Sequence, residues 1–185
     1  MMIKARINQL EVEVPEGTSI LEAARQVQVR IPTLCNHKDL RPTAACGICI
    51  VRNKGGNRLI RACCTPLENN MEITTHDREI VDVRRSTLEL ILSNHPQACL
   101  NCGRNGECEL QTLAADFNIP MESIKRYVKD TPPDRSTGSI VIEFQKCIKC
   151  GRCVQVCQDM QDVWALSLLD RGINPRMAPA GDITL

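Results

Sequence analysis

Apolar and polar residues alternate over two short stretches at the start of the chain. The stretches read IKARI and LEVEV, and Asn8 and Gln9 separate them. Strict alternation places the apolar side chains on one face of a β-strand, and a two-residue break between such strands is typical of a hairpin turn. We therefore predict a β-hairpin at the N-terminus.

After the second stretch, the apolar residues recur with the period of a helix, about 3.6 residues, instead of every second residue. Ser19 and Glu22 have the spacing of a capping box, in which each side chain bonds the backbone of the other. Pro32 is predicted to end this helix. Its apolar face consists of Ile20, Leu21, Ala24 and Val27.

A second hairpin pattern follows, in which GICIVRN and RLIRA flank the Gly-Gly turn of KGGN. MEITT reads as a last strand. Together with the first hairpin and the helix, these strands predict a small α+β domain over residues 1–76.

Residues 77–127 have a helical pattern. One helix is predicted in REIVDVRRSTLELILSNHP and ends at Pro96, and a second in CELQTLAADFNIP ends at Pro120. The apolar residues of the first helix that recur at helical spacing are Ile80, Val83, Thr87, Leu88 and Ile91.

The last part of the chain begins with an aperiodic segment rich in Pro, Asp, Ser and Gly, which predicts a linker over residues 128–139. Residues 140–185 then contain a predicted strand (SIVIEF), a cysteine run continuing into a helix, and the apolar run VWALSLL. This order is half of a two-fold ferredoxin-like unit.

Composition narrows the possible functions. A net charge of +1 does not favour nucleic acid as a partner. No apolar stretch approaches the roughly 20 residues of a membrane span, and the first residues lack the pattern of a signal peptide. We therefore expect a cytoplasmic chain whose twelve cysteines stay reduced and bind metal rather than form disulfides.

The first cysteine group comprises Cys35, Cys46, Cys49 and Cys63, with the spacing C-x10-C-x2-C-x13-C, and the adjacent Cys64 is an alternative fourth member. Four thiolates in a small β-rich domain suit a [2Fe–2S] cluster. Gly47 would let the backbone pass close to it. In an extended strand Cys63 and Cys64 point to opposite faces, so one would be a ligand and the other a small buried residue. A structural zinc site is the alternative.

The second group lies in HPQACLNCGRNGEC and has the spacing H-x3-C-x2-C-x5-C. Three thiolates and a neutral imidazole can hold a [4Fe–4S] cluster, while zinc is again the alternative. Histidine in place of cysteine is expected to raise the reduction potential. These residues are His95, Cys99, Cys102 and Cys108. His37 and His76 have no such neighbours and are predicted to be surface residues.

The third group, CIKCGRCVQVC, has the most specific spacing in the chain. Cys147, Cys150 and Cys153 are predicted to hold one [4Fe–4S] cluster. By the usual logic of such runs, Cys157 serves a second cluster held by a further cysteine run.

All three groups, in this order, resemble the N-terminal relay region of the catalytic subunits of NADH-linked, multisubunit [FeFe]-hydrogenases. Similar regions occur in the large iron–sulfur subunit of complex I, in the diaphorase small subunit of NAD-linked [NiFe]-hydrogenases and in NAD-linked formate dehydrogenases. The resemblance implies a β-grasp [2Fe–2S] domain, a helical [4Fe–4S] domain with one His and three Cys ligands, and an incomplete bacterial-ferredoxin-like [4Fe–4S] domain. It selects Cys63 over Cys64, because the family's ligand stands in a segment like RACCTPLE.

The resemblance also implies that a second cysteine run follows a segment like GINPRMAPAGDITL, where this sequence stops. We expect the sequence to be a fragment of a longer subunit. The alternative is that Cys157 folds back and completes the cluster of the third group.

No nucleotide-binding glycine motif and no hydrogenase active-site cysteine motif is found, so we expect no catalytic site within these residues. The resemblance implies an electron-transfer module between an NADH- and flavin-binding subunit, with a small [2Fe–2S] subunit, and a catalytic domain or subunit downstream. A diaphorase-, formate-dehydrogenase- or complex I-type subunit is the alternative, and a zinc-binding structural module is the alternative of another class.

Overall fold

A five-stranded mixed sheet with a helix forms the first part of the computed structural model, which describes residues 1–120, 124–128, 131–172 and 175–179. The chain divides into two units, residues 1–34 with 46–88, and residues 35–45 with 89–185. The predicted boundaries at residues 76, 127 and 139 remain predictions. No helix among the described residues combines the length and apolar character required to cross a membrane.

The N-terminal hairpin is confirmed. Strands β1 (Met2–Ile7) and β2 (Leu10–Pro15) pair antiparallel, and Asn8 and Gln9 form the turn with positive φ angles. Every second side chain of β1 is buried, as the alternation requires.

Three further strands, Ile50–Asn53 (β3), Arg58–Arg61 (β4) and Glu72–Thr74 (β5), complete the sheet in the order β2-β1-β5-β3-β4. β3 and β4 form the second hairpin around a short 3₁₀ turn at Lys54–Gly56. β5 pairs parallel with β1 and antiparallel with β3. The sheet together with the helices confirms the α+β class.

The first helix, α1 (Ile20–Gln26), has the predicted capping box, in which the Ser19 side chain accepts from the Glu22 amide and the Glu22 side chain accepts from the Ser19 amide. It ends before Pro32, because Gln28 takes a positive φ of 58°. Residues Ile20, Leu21, Ala23 and Ala24 are buried.

The second and third helices also exist as predicted but end earlier than the prolines. α2 spans Arg78–Ser93 and α3 spans Glu109–Asp116. Asp77 accepts a hydrogen bond from the Ile80 amide at the start of α2. Side chains four residues apart are buried along α2 at Ile80, Arg84, Leu88 and Leu92, so one of its four most buried positions is charged.

The predicted strand SIVIEF is wrong. Ile140 and Val141 are exposed, Ile142 forms only an isolated bridge with Asp134, and Phe144–Lys146 form a 3₁₀ turn. The cysteine run continues into a helix as predicted, α4 (Arg152–Gln155), which is followed by a π-helical turn at Val156–Met160. β6 (Leu166–Leu169) and β7 (Arg176–Pro179) form a separate antiparallel pair, and GINPRMAPAGDITL lies partly outside the described residues.

The segment 35–45 is bound to α4 and the turn that follows it. Gln155 Nε2 donates to the Arg41 carbonyl over 2.7 Å, and the Arg41 guanidinium pairs with Asp159 over 2.9 Å. The Arg152 guanidinium donates to the Asn36 carbonyl over 3.0 Å. These bonds fix the backbone directly after Cys35.

Arg152 also pairs with Glu109, at 2.9 Å and 3.4 Å to the two carboxylate oxygens. Arg152 stands between Cys150 and Cys153, Glu109 follows Cys108, and Asn36 follows Cys35. The guanidinium of Arg152 therefore connects three segments of the chain, each of which adjoins a cysteine of a different group.

Replacing Arg152 by Gln is expected to loosen the segment 35–45. The loss of a partly exposed ion pair and one hydrogen bond amounts to about 1–2 kcal/mol. That loss predicts amide hydrogen exchange over residues 36–41 roughly fivefold to thirtyfold faster, measured by mass spectrometry. Arg171→Gln removes the same charge at an exposed position of the same unit and should leave the exchange unchanged. Equal exchange in R152Q and R171Q would contradict this role of Arg152.

Candidate metal centres

All twelve cysteines lie among the described residues, and none forms a disulfide. Within that part of the chain no three His, Cys, Asp or Glu side chains come close enough together to hold a single metal ion. Burial, a shared cavity and mutual effects on pKa instead relate the predicted ligands of each group to one another.

Three members of the first group lie in the first unit. Cys49 and Cys63 are buried and Cys46 is partly buried. Gly47, between Cys46 and Ile48, has a φ of +69°, a conformation that glycine adopts without strain. This conformation is consistent with the prediction that the backbone at Gly47 can pass close to a cluster.

Cys63 and Cys64 differ in exposure, but not for the predicted reason. β4 ends at Arg61, and both cysteines lie in the turn that follows rather than in a strand. Cys64 is exposed and its thiol contacts the Arg61 carbonyl over 3.7 Å, so the expectation that it is a small buried residue is wrong. The burial of Cys63 is consistent with its selection as the ligand.

Cys35, the remaining member of the first group, is buried and begins the segment 35–45 of the second unit. Its neighbour Asn36 is held by Arg152 as described above.

Arg84 is a buried residue of the first unit that the sequence analysis did not single out. Its Nε donates to the Ile48 carbonyl over 3.1 Å and a terminal nitrogen donates to the Ile50 carbonyl over 2.5 Å. Burial lowers the pKa of Arg84 to about 10, whereas a charge at Cys49 acts in the opposite direction. The available signal was its position, since Arg84 occupies the apolar row of α2 at the spacing of Ile80 and Leu88.

The four predicted ligands of the second group line a single cavity. Lys146 and Gln111 also contribute to its wall. The ligands come from the end of α2, the 3₁₀ turn Cys99–Asn101 and the start of α3. The four are His95, Cys99, Cys102 and Cys108.

His95 has two backbone hydrogen-bond partners, Pro96 and Lys146. Its Nδ1 lies 2.9 Å from the Pro96 carbonyl, which can only accept, so this contact requires the hydrogen on Nδ1. Burial lowers the pKa of His95 and favours the neutral imidazole. A neutral imidazole whose second nitrogen is bonded to a carbonyl is the form in which histidine binds metals.

The third group brings three thiols into mutual influence. Burial raises the pKa of Cys147, and Cys150 raises it further, although the Lys149 amide donates to its Sγ over 3.4 Å. Desolvation, followed by the thiols of Cys147 and Cys150, raises the pKa of Cys153. These effects place the sulfurs of Cys147, Cys150 and Cys153 near one another, with Cys153 the exposed member of the three.

Cys157 is buried in the π-helical turn, where its Sγ accepts a hydrogen bond from the Ala165 amide over 3.2 Å. Both interpretations of Cys157, as a ligand of a second cluster and as the fourth ligand of the third group, remain predictions. His37 and His76 are exposed, as predicted.

Three family matches cover these groups in order along the chain. Residues 1–78 match a 2Fe–2S iron–sulfur cluster binding domain. Residues 84–122 match the iron–sulfur binding region of NADH-ubiquinone oxidoreductase-G, and residues 140–159 match a 4Fe–4S binding domain. Each predicted ligand group falls within one match.

Relatives are similar over nearly the whole chain. The NADP-reducing hydrogenase subunit HndD of Solidesulfovibrio fructosivorans is 38% identical over 100% of this chain and 32% of its own length. The second G-type subunit of the NADH-quinone oxidoreductase of Rhizobium meliloti is 35% identical over 94% of this chain and 20% of its own length. The chain thus spans between a fifth and a third of the length of these curated relatives.

The fold is shared with a solved structure, the NAD⁺-reducing [NiFe]-hydrogenase in the H₂-reduced state. The TM-score is 0.88 at 24% sequence identity, over 96% of this chain and 75% of the other. Taken together, the matches show that this chain is an iron–sulfur protein homologous to the G subunits of NADH-quinone oxidoreductases and to the hydrogenase subunit HndD.

Proposed function

We propose that this chain is an electron-transfer region of an NADH-linked oxidoreductase, of the [FeFe]-hydrogenase type. The observation that carries the proposal is the cavity lined by His95, Cys99, Cys102 and Cys108, within the match to the iron–sulfur binding region of NADH-ubiquinone oxidoreductase-G. The hydrogenase type is supported by the 38% identity to HndD along the entire chain. Iron–sulfur clusters, when bound, carry single electrons.

The proposed ligand sets are those of the sequence analysis. Cys35, Cys46, Cys49 and Cys63 hold one [2Fe–2S] cluster in a β-grasp domain, an assignment supported by the strand order β2-β1-β5-β3-β4. His95 with its three cysteines holds a [4Fe–4S] cluster. Cys147, Cys150 and Cys153 belong to another [4Fe–4S] cluster, within half of a bacterial-ferredoxin-like domain.

The residues of this chain bind, space and shield the clusters, while the chemistry on substrates takes place elsewhere. NADH oxidation is assigned to a partner flavin subunit with an associated small [2Fe–2S] subunit, and the terminal reaction to a catalytic domain or subunit beyond this sequence. The proposal of such partners is supported by the names of the relatives, which are subunits of a hydrogenase and of an NADH-quinone oxidoreductase.

The anaerobically purified chain is expected to absorb broadly in the visible range, to lose this absorbance with dithionite, and to keep it under hydrogen gas. Bleaching by hydrogen alone would show a catalytic site in this chain and contradict the proposal. A folded, colourless chain would contradict it in favour of a structural zinc protein.

The adjacent cysteines provide a matched control for this experiment. Cys63→Ala is expected to remove the [2Fe–2S] signal from the electron paramagnetic resonance spectrum, because Cys63 is buried, whereas Cys64→Ala should retain it, because Cys64 is exposed. The [4Fe–4S] signals should persist in both variants.

His95→Cys is expected to leave the second cluster assembled and to lower its reduction potential, because thiolate donates more negative charge than neutral imidazole. The expected shift exceeds the about 59 mV that corresponds to a tenfold change in a one-electron equilibrium. The measurement is a redox titration followed by electron paramagnetic resonance, with the [2Fe–2S] cluster as the internal reference. An unchanged potential of the second cluster would mean that His95 is not a ligand.

A further inference from the structure

Helix α2 buries a charged side chain in its apolar row. Arg84 is 5% exposed, and Ile80, Leu88 and Leu92 on the same side of the helix are at most 2% exposed. Among the described residues, Arg84 is the only buried one that carries a permanent charge. A charge at this depth costs several kcal/mol unless an opposite charge compensates it.

The contacts of Arg84 lie on both sides of Cys49. The guanidinium donates to the carbonyls of Ile48 and Ile50, at 3.1 Å and 2.5 Å. Cys49 itself is 1% exposed. Arg84 thereby fixes the backbone of the Cys46–Cys49 loop at the residues before and after a proposed ligand.

No carboxylate forms an ion pair with Arg84 within the described part of the chain. Asp77 at the start of α2 has a coulombic effect on Arg84. Its carboxylate, however, forms its ion pair with Arg52, whose Nε donates to it over 2.8 Å. The positive charge of Arg84 therefore remains available to whatever binds at Cys49.

A [2Fe–2S] cluster with four thiolate ligands has a net negative charge, which grows by one when the cluster takes up an electron; no bond forms or breaks. A fixed cation nearby stabilises the reduced form more than the oxidised form, because the attraction grows with the charge of the cluster. Salt screens this attraction little when the cation is buried.

We propose that Arg84 is the counter-charge and positioning residue of the [2Fe–2S] cluster, and that its fixed charge raises the reduction potential of that cluster. The inference rests on the proposed function, since it requires a cluster at Cys49.

The test compares Arg84→Gln with Arg78→Gln in the cluster-loaded chain. Both changes remove one positive charge from α2, but the Arg78 side chain is 97% exposed. R84Q is expected to reduce the equilibrium constant for one-electron reduction of the [2Fe–2S] cluster at least tenfold, a downward shift of about 59 mV or more. R78Q should leave it unchanged, and the His-ligated cluster should keep its potential in both variants.

Arg84→Lys separates charge from geometry, because it keeps the positive charge but not the planar fork that bonds two carbonyls. R84K is expected to stay within about threefold of the wild-type equilibrium constant.

Equal potentials in R84Q and wild type would overturn the inference. Loss of the [2Fe–2S] signal from both R84Q and R84K would also overturn it, since Arg84 would then serve assembly alone. Loss of the signal from R84Q alone, with R84K at the wild-type potential, would support a requirement for the charge. A wild-type chain without the signal would instead refute the proposed function.

Discussion

The candidate sites depend on hydrogen bonds from side chains to main-chain carbonyls that lie next to the predicted ligands. Arg84 bonds the carbonyls on either side of Cys49, Arg152 bonds the carbonyl after Cys35, and His95 bonds the carbonyl of Pro96. A cluster needs its ligands at fixed positions, and short cysteine-rich loops have little secondary structure of their own. These bonds hold the loop backbone without occupying the thiols.

The elements with a strong local signal were predictable. Strands β1 and β2 each have one buried face, so their alternation was readable from IKARI and LEVEV. The capping box at Ser19 is likewise a local pattern. The prolines marked only the latest residue at which each helix could end. The helices end earlier, as α1 does just before Gln28, which has a positive φ. The strand expected in SIVIEF failed because strands need partners, and Ile142 alone finds one in Asp134.

The candidate ligands could be predicted from spacing and resemblance, whereas the residues that hold their loops could not. Arg152 bonds a carbonyl 116 residues away in sequence, and Arg84 one 36 residues away, so no local pattern shows which carbonyls they bond. The exposure of Cys64 also depended on a turn that the sequence pattern did not reveal. Arginine is ordinarily read as a solvent-exposed position of a helix, which is why the buried place of Arg84 in α2 required the structure.

The central claim is that the three groups bind iron–sulfur clusters, and the most direct test is the content of iron, acid-labile sulfide and zinc per chain after anaerobic purification. The account predicts about ten iron atoms, the number in one [2Fe–2S] and two [4Fe–4S] clusters, with a similar amount of sulfide. About six would mean that only the first two groups are loaded and that the third needs a ligand from outside this sequence. Little iron and stoichiometric zinc would contradict the account.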